Sequence, residues 1–219
     1  MKNINITNGE CLNEYLKNKY DGVFIPFNEA MIQGDLVFPV LDDDFINYRS
    51  SVHNVSKEVY VEKLNDFLQI KNYVNEINEI VLWFGKDAFC IINLIVVLVY
   101  LEQINYSGNI YVNLVDDYSF NILESNIKIE CSFKELYLNL VNRTYIDTNM
   151  NFINEGVKDY LYITSEDNFV LDYIKENINK LDTKELVLNI LNDTYKYGLS
   201  DVFILSLIKM EIIKKTIKS

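Results

Sequence analysis

The chain has few residues that break regular structure. It contains two prolines and seven glycines among 219 residues. So small a supply of turn-forming residues favours long helices and strands over a turn-rich all-β fold. The chain also lacks the G-x-G-x-x-G and G-x-x-x-x-G-K-[ST] patterns, so neither a dinucleotide-binding fingerprint nor a P-loop is indicated.

Cysteine and histidine are scarce as well. Cys11, Cys90 and Cys131 are odd in number and widely spaced, and no C-x-x-C pair occurs. This pattern indicates neither a disulfide framework nor a zinc cluster. The single histidine, His53, follows two serines closely, but residues two or three apart rarely align as nucleophile and base, and no G-x-S-x-G elbow is present.

Basic charge is in short supply. The chain has 20 Lys and Arg against 32 Asp and Glu, which gives a formal net charge of −12. This balance argues against a general affinity for nucleic acid or for anionic membranes, because both need a basic surface. No signal-peptide pattern opens the sequence, so a cytoplasmic location is expected. The apolar segment 89–101 is shorter than the roughly 20 residues that span a bilayer, and predicts a buried helix.

Apolar residues are abundant enough for a large core. Hydrophobic residues make up 49% and aromatic residues 13% of the chain, which excludes general disorder. The length fits one larger domain, or a main domain with a small appendage. Because helical patterns dominate beyond a polar, Asn-rich segment at 147–156, we predict an α/β domain over residues 1–146 and a helical subdomain over residues 147–219.

The central stretch of the sequence is residues 79–101. A continuous apolar run at 80–84 predicts a strand that is covered on both faces. Gly85, Lys86 and Asp87 interrupt it before the apolar helix begins. Asp87 either caps that helix or belongs to a site, since ligands of open parallel sheets lie beyond the carboxyl ends of the strands.

Further apolar patterns predict the remaining elements. Strands are expected at residues 3–7, 22–27 and 109–115, and one helix from an N-cap at Ser56 to about residue 77. In the tail, helices are expected at 169–178, at 184–195 with Thr183 as the cap, and from an N-cap at Ser200 to about residue 215. The fold prediction is a three-layer α/β architecture with a mostly parallel, Rossmann-like sheet of about four or five strands, followed by a small helical subdomain.

Polar residues follow each predicted strand and should meet at one edge of the sheet. They are Asn8, Gly9, Glu10, Asn28, Glu29, Lys86, Asp87, Asp116 and Asp117. Several carboxylates at one edge can bind a divalent cation or divide general acid and base roles. The alternative is that they only cap helices. Arg49 can clamp an anion or pair with Asp42, Asp43 or Asp44 at the surface, and Trp83 is more typical of a core than of a stacking platform.

The order of these signals resembles a bacterial family, DUF1835 (domain of unknown function 1835). The resemblance rests on ITNGE at 6–10, PFNEAMIQGD at 26–35, Arg49, and LWFGKDAFCIINL at 82–94, and covers roughly residues 3–142. The tail, with TKELVLNIL and YGLSDVFILSLIKM, is similar to the small C-terminal domain that accompanies the family. The resemblance implies a polar signature at Thr7, Asn8, Gly9, Glu10, Glu29, Gly34, Arg49, Trp83, Asp87 and Asn93.

This chain departs from the family pattern at several positions. Glu10 replaces an aspartate, and Asn28 and Glu29 replace an Arg-Asp pair. Asp35 replaces a proline, and Cys90 and Ile91 replace an Asp-Gln pair. One arginine and one acidic side chain are therefore lost, which indicates a divergent member and makes the helix after Asp87 look more like plain core.

Two classes of function stay open from the sequence. The first is a site for a small polar metabolite, phosphorylated or not, with hydrolase or transferase chemistry and a divalent cation as one option. Its expected catalytic residues are Glu10, Glu29 and Asp87, and its expected ligand-binding residues are Asn8, Gly9, Arg49, Trp83 and Asn93. The second is a non-catalytic interaction protein whose acidic surface meets a basic partner.

Overall fold

The computed structural model describes residues 2–218, with the side chains of residues 215 and 218 left aside. Its sheet has five strands in the order β2-β1-β3-β4-β5. Neighbours are parallel except for β4 and β5, which are antiparallel. The strands are β1 (Lys2–Thr7), β2 (Val23–Pro26), β3 (Ile77–Phe84), β4 (Asn109–Val115) and β5 (Ile122–Lys128). The predicted three-layer α/β fold with a mostly parallel sheet is confirmed.

Helices cover both faces of the sheet. On one face α1 packs Leu12 and Leu16 against Phe24, Trp83 and Val115. On the other face lies α5, and further helices cover it in turn. The helices are α1 (Glu10–Lys17), α2 (Asp43–Val52), α3 (Lys57–Lys63), α4 (Asn65–Leu68), α5 (Ala88–Gln103), α6 (Lys134–Val141), α7 (Asn151–Ile163), α8 (Phe169–Asn177), α9 (Thr183–Asp193) and α10 (Asp201–Lys218).

The helix α5 is buried along most of its length, as the sequence predicted. From Cys90 to Leu101 every side chain is buried. It has no single apolar face because the sheet lies on one side and α6 and α7 lie on the other. The helices within residues 2–218 all lack the combination of length and apolar character that crossing a membrane requires.

Four details of the sequence prediction are wrong. The helix expected from Ser56 to residue 77 ends at Lys63. The chain then forms α4 and two short 3-10 segments before β3 begins. The helix α7 begins inside the polar, Asn-rich segment at 147–156, before the region in which helical patterns were expected to dominate. Strand β5 was missed, because nearly all its side chains are exposed and it has no continuous or alternating run of apolar residues. The cap of α9 is Asp182 rather than Thr183, with its Oδ1 accepting from the Glu185 N–H at 2.8 Å.

The C-terminal helices contribute to the main hydrophobic core. Ile153, Val157 and Tyr160 of α7 are fully buried in the same cluster as α5 and the sheet. The two helices approach closely at Gly156, where an added Cβ would lie 2.5 Å from Cγ1 of Ile91. The division into domains at residue 146 stays a prediction, but the core itself runs across that point.

Candidate functional site

Four turns meet at the carboxyl edge of the sheet, because β1 to β4 run in parallel. The turn after β1 holds Asn8 and Gly9, and Gly9 takes a φ of +88° that suits glycine. The helix α1 starts directly after it, and no side chain caps its first N–H groups. The loop after β2 carries Glu29, and the turn after β3 carries Asp87.

Glu29 is a buried carboxylate with four hydrogen-bond donors. Its Oε1 accepts from the Ala30 N–H at 2.6 Å, from Arg49 Nη2 at 2.8 Å and from His53 Nε2 at 2.6 Å. Its Oε2 accepts from the hydroxyl of Tyr60. The side chains of Glu29 and Arg49 are both fully buried. A buried charge needs such a complete set of partners to be stable.

Arg49 lies inside the protein and is held by its neighbours. Its guanidinium also donates to the carbonyl of Ala30 at 2.9 Å and to the carbonyl of Gln33. The expected alternative of a surface pair with the nearby aspartates is wrong, because Asp42 caps α2 and Asp43 pairs with Lys57 at 3.0 Å. Arg49 therefore fixes Glu29 and the loop after β2, and does not reach the neighbouring cavity.

The partners of Glu29 keep it ionised. Burial alone would raise its pKa, but the hydrogen bond from His53 and the charge of Arg49 outweigh burial and lower the pKa to about 2. The same contacts explain the environment of Tyr60, whose pKa is raised by burial and by the adjacent Glu29 carboxylate.

We expect this ionisation to stabilise the fold in a defined acid range. A carboxylate with a lowered pKa contributes stability that is fully present above its unfolded pKa and is lost as pH falls through its folded pKa. For Glu29 the loss should run from about 4.5 down to about 2. Urea unfolding at about pH 5 and about pH 3 should show the advantage of the wild type over Glu29→Gln shrinking as pH falls. An advantage that is equal at both pH values would contradict the assignment.

His53 is oriented by Glu29. An ionised carboxylate only accepts hydrogen bonds, so the 2.6 Å contact with Glu29 places the proton on Nε2, although the donor Nη2 of Arg49 also lies 3.1 Å from this atom. Within the described part of the chain, Nδ1 has no hydrogen-bond partner, and in the neutral tautomer it is a free acceptor. The side chain is 22% exposed, and it lines a cavity of about 340 Å³ together with Asn8, Gly9, Phe27, Asn28, Tyr60, Lys63 and Phe89.

The sequence had noted His53 only beside two serines. The structure shows that both serines bond elsewhere: Ser50 donates to the carbonyl of Asn47 at 2.9 Å, and Ser51 donates to the carbonyl of Tyr48. The true partner, Glu29, lies 24 positions earlier. The presence of the only histidine one turn after Arg49 was the available signal.

Asn93 and Asn8 connect the turns to one another. The amide of Asn93 donates to Asn8 Oδ1 at 2.8 Å and to the carbonyl of Glu29 at 2.7 Å, and it accepts from the Met31 N–H at 3.0 Å. Asn8 in turn donates to Sγ of Cys90 at 2.9 Å. These bonds fix the turn after β1 against the loop after β2.

A second cluster lies on the other side of Asn8. Asp87 caps α5, with its Oδ1 accepting from the Cys90 N–H at 2.9 Å, which is one of the two roles that the sequence allowed. The thiol of Cys90 donates to Asp117 Oδ1 at 3.2 Å. Burial raises the pKa of the Cys90 thiol. Desolvation of its carboxyl group, and then the hydrogen bond and charge of Asp87, raise the pKa of Asp117 to about 8.

Two other predicted site residues lie apart from these clusters. Glu10 is exposed on the rim of a wider cavity of about 690 Å³, which is lined by further acidic residues, namely Glu58, Glu62 and Asp66. Trp83 packs under α1, and its indole N–H donates to Asn5 at 2.9 Å. The structure therefore brings Asn8, Gly9 and Glu29 to the cavity that His53 lines. Asn93 is bonded to Asn8 and to the carbonyl of Glu29, and Asp87 lies in the second cluster.

Comparison with known proteins leaves the site to be interpreted from its geometry. No family model, curated protein or solved structure matches the chain. The resemblance to the DUF1835 family stays a prediction.

Proposed function

We propose that the protein binds a small polar metabolite at the carboxyl edge of its sheet and hydrolyses it or transfers a group, with His53 as the general base. The observation that carries the proposal is the pairing of Glu29 with His53. Glu29 holds the proton on Nε2, and the imidazole lines the cavity of about 340 Å³. An oriented histidine beside a cavity is the usual arrangement for general base catalysis near neutral pH.

The residues around His53 suit such a reaction. Nδ1 would take a proton from a water molecule or a hydroxyl nucleophile in the cavity. The imidazolium that forms would be stabilised by the Glu29 carboxylate, which stays ionised because Arg49 and Tyr60 hold it. After bond cleavage the same nitrogen would return the proton to the leaving group.

The turn after β1 offers a place for an oxygen of the substrate. The first N–H groups of α1 have no side-chain cap, and Gly9 lines the cavity. Such N–H groups attract a carbonyl, carboxylate or phosphate oxygen. Lys63 lines the same cavity and adds a positive charge for a phosphorylated or carboxylated metabolite. Asn8 also lines this cavity, and Asn93 holds its side-chain amide in place.

The test uses the full chain with a panel of ester, amide, phosphate and glycoside substrates. Where turnover is found, His53→Asn should lower kcat/KM by about 10²- to 10⁴-fold, the contribution of a general base. Glu29→Gln should also lower it. Ser51→Ala is the matched control, since Ser51 lies in α2 shortly before His53 and its hydroxyl donates to the carbonyl of Tyr48. The kcat/KM of this variant should stay at the wild-type value.

Two results would overturn the proposal. One is turnover that is equal in the wild type and in His53→Asn. The other is the lack of both turnover and a thermal shift across the whole panel, which would favour a non-catalytic interaction protein. For that alternative, the acidic rim formed by Glu10, Glu58, Glu62 and Asp66 is the surface that a basic partner would meet.

A further inference from the structure

Three potential metal ligands meet where β3 and β4 end. Asp87 and Cys90 are three residues apart at the start of α5, so both project from its first turn. Asp117 follows β4 in the neighbouring turn. One ligand atom from each side chain lies within 4.8 Å of the other two. The cluster therefore combines two carboxylates and one thiol from two separate parts of the chain.

The two carboxylates have no positive partner. Among the side chains that the structure describes, no lysine, arginine or histidine forms an ion pair with Asp87 or Asp117. Glu29 is different, because Arg49 neutralises it. Two adjacent carboxylates without a cation repel each other. A bound divalent cation would remove that repulsion, because it attracts both of them.

A glycine lies directly against each of the two carboxylates. A Cβ on Gly85 would lie 2.1 Å from Oδ1 of Asp117, and a Cβ on Gly198 would lie 2.2 Å from Oδ1 of Asp87. Each carboxylate therefore lies against a glycine, at a position where any side chain would collide with it. Although Asp117 is an exposed residue overall, its carboxylate turns in towards Gly85 and the thiol of Cys90.

We propose that Asp87, Cys90 and Asp117 form a binding site for a thiophilic divalent cation, for which Zn²⁺ is the best fit. A thiolate ligand selects zinc over magnesium and calcium, which prefer sites made of oxygen alone. Three protein ligands leave a coordination position for water or a bound molecule, as in catalytic rather than structural zinc sites. The ligands line a cavity of about 260 Å³ that has room for such a molecule.

Binding would proceed with a simple proton balance. The Cys90 thiol would release its proton to solvent, as would a carboxyl group that carries one, and the thiolate and the two carboxylates would bind the cation. Asn8 is in place to support the thiolate, because its amide already donates to Cys90 Sγ at 2.9 Å. No oxidation or reduction is involved. The site also does not depend on the role proposed for His53.

The test measures metal binding to the full chain after dialysis against a chelator. Isothermal titration with Zn²⁺ should give one site per chain, and loading with Co²⁺ should give a thiolate-to-cobalt charge-transfer band in the near ultraviolet. Asp117→Asn and Cys90→Ser should each weaken Zn²⁺ binding by at least about 10-fold, and Cys90→Ser should abolish the band. Asp21→Asn and Cys131→Ser are the matched controls, since both residues are exposed and neither lines the cavity.

A measurement without metal guards against variants that merely misfold. Asp117→Asn removes the repulsion between the carboxylates, so it should raise the melting temperature of the metal-free protein while losing the rise that Zn²⁺ produces in the wild type. A wild-type chain without stoichiometric Zn²⁺ binding would overturn the proposal. Equal Zn²⁺ affinity in the wild type, Asp117→Asn and Cys90→Ser would overturn it as well, because the metal would then be held elsewhere.

Discussion

Replacing Arg49 with methionine should lower the free energy of unfolding by about 3–5 kcal/mol, the usual cost of removing one partner from a buried ion pair. Methionine has a similar length but no charge, so Glu29 would be left in the core without its cation. The three remaining donors, from Ala30, His53 and Tyr60, do not supply a permanent positive charge. Urea unfolding at neutral pH measures the loss.

Two comparisons identify the cause of this loss. In a double-mutant cycle with Glu29→Gln, the two changes should couple by about 0.5–3 kcal/mol, as expected for residues that share a network. Lys57→Met removes an exposed partner of Asp43 and should change the stability far less, because solvent screens that pair. Additive effects of Arg49→Met and Glu29→Gln would show that the pair contributes no interaction of its own.

A chain that ends at residue 149 should fail to fold. This truncation removes α7, whose Ile153, Val157 and Ile163 are fully buried in the main core. Burial of each such side chain contributes about 1.5–3 kcal/mol, and the whole stability of a typical domain is only about 5–15 kcal/mol. The truncation would also expose to water the apolar side chains of α5 that α7 covers, which promotes aggregation. Gel filtration and far-ultraviolet circular dichroism measure the outcome.

A shorter truncation provides the control. Removing residues 216–219 deletes the end of α10, where Ile217 is exposed, and keeps the ion pair of Lys214 with the buried Glu211. This variant should stay monodisperse and unfold cooperatively. If the chain that ends at residue 149 were also soluble and cooperative, the predicted division into domains at residue 146 would be correct and the shared core would be dispensable.

The strands that the sequence predicted are those with an apolar signal. Residues 80–84 and 109–115 are continuous or alternating apolar runs, and both became central strands of the sheet. Strand β5 has no such run because it is an edge strand with mostly exposed side chains. The break after Lys63 was equally hidden, since the apolar residues of α4 and of the 3-10 segments continue the helical spacing of α3.

The sequence predicted where several polar residues lie in the fold, but it did not predict which of them contact one another. Placing Glu29 and Asp87 after parallel strands predicted that both lie at the carboxyl edge of the sheet, and the structure has them in the loop after β2 and the turn after β3. The contact of Glu29 with His53 depends on how a loop folds back over 24 positions. Cys90 was interpreted as plain core, which is wrong in one respect: it is buried, but its thiol bonds to Asp117, 27 positions later. Local patterns contain no information about such distant partners.

The close approach of Gly198 to Asp87 also affects when, during translation, the cluster of Asp87, Cys90 and Asp117 can form. Gly198 lies between α9 and α10 and adopts a φ of +66°. Asp87, Cys90 and Asp117 are synthesised about a hundred residues before it. During translation these three side chains emerge from the ribosome while the main chain that confines Asp87 is still unmade. The cluster therefore reaches its final geometry only after Gly198 has been synthesised, which ties its maturation to the docking of α9 and α10.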